Sequence, residues 1–304
     1  MELENKMIND LVNIVGSENV VQDEPMKNHT TFKVGGPADY LVTPDTEDEL
    51  AELIKYSKEH NIPYFVMGNG SNLIVKDNGI RGIVIKLFNN FSNCKVEGNR
   101  LYASAGALMS KVGRVALEHN LTGFEFGAGI PGTIGGAVVM NAGAYGGEIK
   151  DIIVSAKVLT EAGEILELSK EELNLSYRTS CIIPNNYIVL SACLELKPGN
   201  PEEIKSKMNE LATARRDKQP LEYPSAGSTF KRPEGYFAGK LIMDTGLRGY
   251  RVGGAQVSDK HCGFVINAGN ATASDILDLI SDIRDRVEDK FGVRLETEVK
   301  VIGE

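Results

Sequence analysis

Eight glycines fall within the 21 residues from Gly127 to Gly147, out of 32 in the whole chain. No other feature constrains the fold as strongly. A glycine has no Cβ, so its backbone N–H can approach a phosphate oxygen that another residue would hold off. A second glycine segment, Gly68-Asn69-Gly70-Ser71-Asn72, follows Tyr64 to Met67, which reads as a buried strand. A loop directly after a strand is where phosphate loops sit. This one is not the fingerprint of a Rossmann unit. Leu73 stands where the third glycine belongs, and Leu73–Val75 reads as strand, so no helix N-terminus waits for a pyrophosphate. No Walker A motif occurs. Taken singly, each loop is more often a tight turn than a cofactor site. Two in one α/β domain shift the balance modestly toward a phosphate-bearing ligand.

Around the loops, strand and helix alternate. The stretch to about Val21 reads as a helix or two, and Thr46-x-x-Glu49 is a capping box opening a helix that ends near Pro63. Gly82–Leu87 and Leu101–Ala105 read as strands, with an amphipathic helix from Leu108 to about Asn120. Ile152–Thr160 and Glu164–Ser169 form a hairpin about Ala162-Gly163, and Ser169-x-x-Glu172 is a second capping box predicting a short helix. After the strand Tyr187–Leu196, the run Lys197-Pro198-Gly199-Asn200-Pro201 has linker composition. A boundary near residue 199 follows. Beyond it, Asn200 caps a helix carrying Ile204, Met208 and Leu211. The last helix spans about Ser274 to Phe291 with Ile276, Leu279, Ile280, Ile283 and Val287 inward, and Gly292 is its C′ residue. Val293 to Ile302 reads as a final strand, with Glu296, Glu298 and Lys300 on its polar face.

The net charge of −9 argues against a nucleic-acid surface. The densest basic run, Arg215-Arg216-Asp217-Lys218, is enough to hold a phosphate or two. The polar, acidic N-terminus lacks a signal-peptide pattern, and no segment approaches the roughly 18 apolar residues of a membrane span. The expectation is a cytoplasmic protein without membrane insertion. Cys94, Cys181, Cys193 and Cys262 form no CxxC or Cys/His cluster, so no metal is expected and free thiols are.

The run Gly68-Asn69-Gly70-Ser71-Asn72-Leu73-Ile74-Val75 resembles the first FAD loop of the MurB family, the UDP-N-acetylenolpyruvoylglucosamine reductases of bacterial peptidoglycan synthesis. Gly129-Ile130-Pro131-Gly132-Thr133-Ile134-Gly135-Gly136-Ala137, followed by Asn141-Ala142-Gly143-Ala144-Tyr145-Gly146, resembles the second. Asn28-x-Thr30-Thr31-Phe32-x-Val34-Gly35-Gly36 matches as well, so the likeness runs from about residue 25 to the C-terminus. It implies an α+β fold. A two-lobed vanillyl-alcohol-oxidase/PCMH-type FAD-binding domain (residues 1–90 and 91–199) precedes a C-terminal α+β substrate-binding domain (residues 200–304). It implies non-covalent FAD held by Gly68, Asn69, Gly70, Ser71, Asn72, Gly129, Ile130, Gly132, Thr133, Gly135, Gly136 and Asn141. NADPH is the implied reductant and UDP-N-acetylglucosamine enolpyruvate the substrate, reduced to UDP-N-acetylmuramate. No protein partner is implied.

The resemblance also implies three catalytic positions. Arg178, in Ser176-Tyr177-Arg178-Thr179-Ser180, would face the substrate carboxylate or an enolate with its guanidinium fork. Ser228, in Ala226-Gly227-Ser228-Thr229-Phe230, would donate the proton; Glu298, in Leu295-Glu296-Thr297-Glu298-Val299, would stabilise or protonate the enolate. Read without the family, Arg178 is a loop arginine, Ser228 a turn serine and Glu298 a solvated glutamate. Glu296 shares the polar face, and only the motif register separates the two. Lys218 matches a lysine near the substrate diphosphate, and Tyr177 and Tyr145 are weaker substrate contacts.

The interval from Arg178 to Ser228 looks too short for the tyrosine-loop insertion of some members, which implies the shorter, type II form. Arg232 stands where some members have asparagine. Two other readings stay open: an FAD oxidoreductase of the same fold acting on a small hydroxy acid, and a non-catalytic flavin- or nucleotide-binding module.

Overall fold

The computed structural model describes residues 2–304, with side chains from Lys6 onward. Its chain forms two compact units assembled from interleaved stretches. The first comprises Met1–Gln22, Tyr40–Asn69 and Gly82–Thr213; the second comprises Asp23–Asp39, Gly70–Arg81 and Ala214–Glu304.

The first unit is built on two sheets. In one, the strands run in the order Val20–Pro25, Pro37–Val42, Ile80–Lys86, Tyr64–Met67. The edge strand Tyr64–Met67 pairs parallel with Ile80–Lys86, with Phe65 opposite Val84. The helix Glu47–Glu59 lies in the chain between the strands Pro37–Val42 and Tyr64–Met67. Thr46 caps that helix by accepting the Glu49 N–H, but Glu49 reaches back to the N–H of Asp45 rather than closing the box on Thr46. The other sheet is antiparallel, in the order Ile165–Ser169, Ile153–Leu159, Ile188–Glu195, Arg100–Ser104, Cys94–Glu97. Its hairpin pairs Leu159 with Ile165 and turns with Gly163 at φ +83°. Leu53, Ile85, Leu101, Val112, Phe124 and Leu190 belong to the buried core of this unit.

In the second unit the helix Ala273–Phe291 packs Ile276, Leu279, Ile280, Ile283 and Val287 into a core with Phe32, Ile74, Leu241 and Leu295. Five such side chains contribute on the order of 10 kcal/mol through burial. The helix opens with a reciprocal capping box between Thr272 and Asp275 and ends at left-handed Gly292. A three-stranded antiparallel sheet, Arg251–Val252, Ala255–Val257, Val265–Asn267, and a parallel pair, Leu73–Val75 with Lys300–Ile302, complete the unit.

Three expectations are corrected. Tyr64–Met67 is half-buried rather than buried. The Ser169–Glu172 box forms both of its bonds, yet Asn174 at φ +46° ends the turn before a helix can propagate. The final strand is only Lys300–Ile302. Upstream of it, Leu295 and Val299 are buried as the alternation predicts, but the segment is paired there only at Thr297, opposite Phe230. No helix among the described residues is long and apolar enough to cross a membrane. The four cysteines are free thiols, and burial pushes their pKa values up.

Candidate active site

In the first unit the two glycine loops meet. A Cβ on Gly68 would lie 2.2 Å from the Thr133 hydroxyl oxygen, so this glycine is required by the approach of the second loop. The Asn69 side chain donates to the Pro131 carbonyl across the same junction. Gly135 is equally enclosed: its N–H donates to the Ala105 carbonyl (2.8 Å), and a Cβ would sit 2.9 Å from that of Ala105. Gly136 is different. It is exposed, and a Cβ there would meet only the Thr133 hydroxyl at 3.9 Å. Packing explains Gly68 and Gly135 but leaves Gly136 open to a ligand. A cradle of exposed backbone beside two interlocked glycine loops fits a pyrophosphate-bearing cofactor.

Asn141, which follows the helix Ile134–Val139, is fully buried, at φ +42°. Its amide donates to Glu148 Oε2 (2.7 Å) and to the Ser176 carbonyl (3.1 Å), and its Oδ1 accepts from the Lys150 N–H (2.9 Å). These bonds join two strained turns. One is the two-residue hairpin loop Tyr145-Gly146, with φ +52° and +88°, closed by Ala144 opposite Gly147. The other is Tyr177-Arg178, closed by Ser176 N–H to Thr179 O (3.1 Å), with Arg178 at φ +56°. A left-handed backbone costs a non-glycine residue roughly 1–2 kcal/mol, and such strain gathers at functional sites. Tyr145 and Tyr177 are exposed, and the Arg178 guanidinium lies 5.0 Å from the Tyr177 ring centre. Nothing in the sequence pattern marks the Tyr177-Arg178 turn, because tyrosine and arginine are not turn formers.

The second unit holds the remaining candidates. Gly70, at φ +64°, accepts from the Thr31 N–H (3.2 Å), and the Thr31 hydroxyl donates to the Ser225 carbonyl (2.6 Å). Thr31 thereby ties the first glycine loop to the segment that carries Ser228. The motif around Thr31 is visible in the sequence, but its positioning role is not. The Asn72 side chain donates to the Glu298 carbonyl (3.2 Å), and the Asn72 carbonyl accepts from the Lys300 N–H (2.9 Å).

Ser228 is exposed and follows Gly227 at φ +74°. The residues after it run antiparallel to the segment bearing Glu298: Glu298 N–H donates to Thr229 O (2.9 Å), Phe230 bridges Thr297, and Lys231 N–H donates to Glu296 O (2.8 Å). Ser228 and Glu298 therefore lie on adjacent hydrogen-bonded segments, 70 residues apart in sequence (298 − 228). The two glutamates part company here. Glu296 pairs with Lys231 at 3.0 Å and leaves 73% of its side chain exposed. Glu298 is half-buried. Lys218 ends the helix Pro201–Lys218 and is exposed, whereas Arg215 one turn earlier is buried. Arg232 stacks its guanidinium 3.9 Å from the ring centre of exposed Phe237. His261 accepts the Gly263 N–H at Nδ1 (3.1 Å), and burial lowers its pKa.

Residues 38–169 match the FAD binding domain family, and residues 219–302 match the C-terminal domain of UDP-N-acetylenolpyruvoylglucosamine reductase. The chain is 57% identical over 294 residues to the UDP-N-acetylenolpyruvoylglucosamine reductase of Clostridioides difficile, covering 97% of each chain. The chain belongs to this reductase family. The reductase of Clostridium tetani is also 57% identical, across 98% of this chain and 96% of its own. The crystal structure of the reductase from Thermus caldophilus superposes with a TM-score of 0.79 at 39% identity, covering 93% of this chain and 97% of that one. A glucose dehydrogenase, Phl p 4.0202, shares the fold alone, with a TM-score of 0.51 at 14% identity over 64% of this chain and 44% of its own.

Proposed function

We propose that this reductase-family chain catalyses the NADPH-dependent reduction of UDP-N-acetylglucosamine enolpyruvate to UDP-N-acetylmuramate, in the cytoplasm and without a protein partner. The observation that supports the reading is that Ser228 and Glu298 lie on adjacent segments joined by the Glu298 N–H to Thr229 carbonyl bond, within a chain that matches a named reductase over 97% of its length. The chemistry that bound FAD would supply is the transfer of reducing equivalents from NADPH to the enol ether. The family motifs assign its binding to Gly68, Asn69, Gly70, Ser71, Asn72, Gly129, Ile130, Gly132, Thr133, Gly135 and Gly136, which would hold it, with Asn141 bracing the second loop. The reaction adds two hydrogens across the enolpyruvyl double bond and consumes one NADPH and one proton. Negative charge develops on the carbon bearing the carboxylate. Arg178 meets that charge with a planar fork of donors, Ser228 supplies the proton, and Glu298 helps to stabilise or protonate the enolate. Lys218, Tyr177 and Tyr145 grip the substrate. The three-part division into lobes 1–90 and 91–199 and a substrate domain 200–304 belongs to this reading. One sheet within each segment supports it.

The test is spectroscopic. Purified protein carrying FAD bleaches with NADPH and recovers its colour anaerobically when the enolpyruvyl nucleotide is added. In Ser228→Ala the bleaching persists and the recovery slows by about 10² to 10⁴. Slowing of tenfold or less removes Ser228 as proton donor, and recovery absent from the native protein removes the reaction itself.

A further inference from the structure

Thr229 sits between the two residues that the proposed chemistry needs side by side, and it is 1% exposed. Three hydrogen bonds converge on it. Its N–H donates to the Gly263 carbonyl (2.9 Å), its carbonyl accepts from the Glu298 N–H (2.9 Å), and its hydroxyl oxygen accepts from the Val265 N–H (3.0 Å). Two of these bonds hold Thr229 to the segment Gly263–Val265, and the third holds Glu298 to Thr229. The residue on one side of this clamp is Ser228. On its other side, Phe230 bridges Thr297 and is itself buried.

We infer that Thr229 is the positioning residue of the site, setting Ser228 against Glu298 through its buried hydroxyl. The two backbone bonds are available to any residue. The hydroxyl bond is not, and it anchors the Thr229 side chain to the strand Val265–Asn267, which restrains the segment from rolling about its axis. Ser228 is exposed and follows a left-handed glycine, so its own surroundings do little to hold it. Gly263 is also enclosed: a Cβ there would lie 2.9 Å from His261 Cε1, and the His261 ring accepts the Gly263 N–H. The anchor is thus rigid on the side away from Glu298. Proton donation falls off steeply when donor and acceptor are displaced by about 1 Å, which costs on the order of 10²-fold. A residue touching no substrate atom can therefore govern the protonation step.

The inference rests on the reading of Ser228 as proton donor, and the test separates the two. Thr229→Val keeps the shape of the side chain and removes the acceptor; Thr229→Ser keeps the acceptor. Flavin reduction by NADPH and reoxidation by the enolpyruvyl nucleotide are timed separately in each holoenzyme, with Ser228→Ala in parallel. The expected result is that Thr229→Val slows reoxidation by roughly tenfold or more while flavin reduction stays within about twofold, and that Thr229→Ser restores the native rate. Native reoxidation in Thr229→Val, equal loss in both half-reactions, or a Thr229→Ser variant as slow as Thr229→Val would each overturn the positioning role. If Ser228→Ala reoxidises normally while Thr229→Val is slow, the proton-donor reading fails and the clamp serves another group. If Thr229→Val does not fold, the comparison of Thr229→Ser with native enzyme still decides, since any slowing there above about threefold contradicts the claim that the hydroxyl suffices.

Discussion

The side-chain amide of Asn72 donates to the backbone carbonyl of Glu298 across 3.2 Å, joining the first glycine loop to the segment of the proposed catalytic glutamate. With Lys300 N–H on the Asn72 carbonyl, it continues the parallel pairing of Leu73–Val75 with Lys300–Ile302. Replacing Asn72 with alanine removes a bond worth about 1 kcal/mol net. The expected outcome is a thermal midpoint lower by a few degrees and a reoxidation half-reaction slowed more than flavin reduction. Thermal melts and stopped-flow absorbance measure both.

The glutamates at 296 and 298 give opposite outcomes. The Glu296–Lys231 pair is exposed, and such pairs contribute about 0–1 kcal/mol. Glu296→Gln therefore leaves turnover within about twofold of native. Glu298→Gln keeps the Thr229 and Asn72 backbone bonds but lowers turnover by about 10²-fold or more. Steady-state NADPH oxidation compares the two. The reverse ranking would move the catalytic assignment to Glu296.

Gly68→Ala and Gly136→Ala separate packing from cofactor contact. The first places a Cβ 2.2 Å from the Thr133 oxygen, so it destabilises the apoprotein as well as FAD binding. The second adds a methyl to an exposed helical glycine, where alanine gains up to about 1 kcal/mol of helix propensity. Its apoprotein melts at or slightly above the native temperature while FAD affinity falls. Differential scanning with and without FAD distinguishes them. Unchanged FAD affinity in Gly136→Ala would remove that glycine from the cradle.

Acid sensitivity concentrates at the start of the last helix. Asp77 accepts from the Ala273 N–H (2.8 Å), the Ser274 N–H (2.9 Å) and the Ser274 hydroxyl (2.6 Å). Burial pushes its carboxyl up, yet these three bonds outweigh burial and hold the pKa below the usual carboxylate value. Asp275 is likewise held down, chiefly by the Thr272 N–H and then the Gly254 N–H. A pKa depressed by folding stabilises fully above the unfolded value, about 3.9, and that stabilisation is lost as pH falls through the folded value. The melting temperature of the native protein is thus expected to drop below about pH 4. Asp77→Ala melts lower at neutral pH and falls less steeply in acid. A parallel slope in the two proteins would show that Asp77 is not a source of the acid sensitivity.

What the sequence determined by itself is local. The last helix was legible because its apolar period, cap and left-handed glycine all lie within about twenty residues of each other, and 3.6-residue periodicity needs no distant partner. The hairpin about Gly163 was legible for the same reason. The two glycine loops and the family motifs identified the cofactor and the chemistry. Pairing was not legible. Alternation through Val293–Ile302 reported which side chains face inward, but a strand also needs a neighbour, and continuous pairing reached only Lys300–Ile302. The different burial of Glu296 and Glu298, the bracing by Asn141 of two left-handed turns, and the clamp at Thr229 were decided by tertiary structure alone. Each depends on hydrogen bonds between segments far apart in the chain, such as the 226 residues that separate Asn72 from Glu298. No local pattern of residue types encodes which distant backbone group a buried hydroxyl or amide will meet.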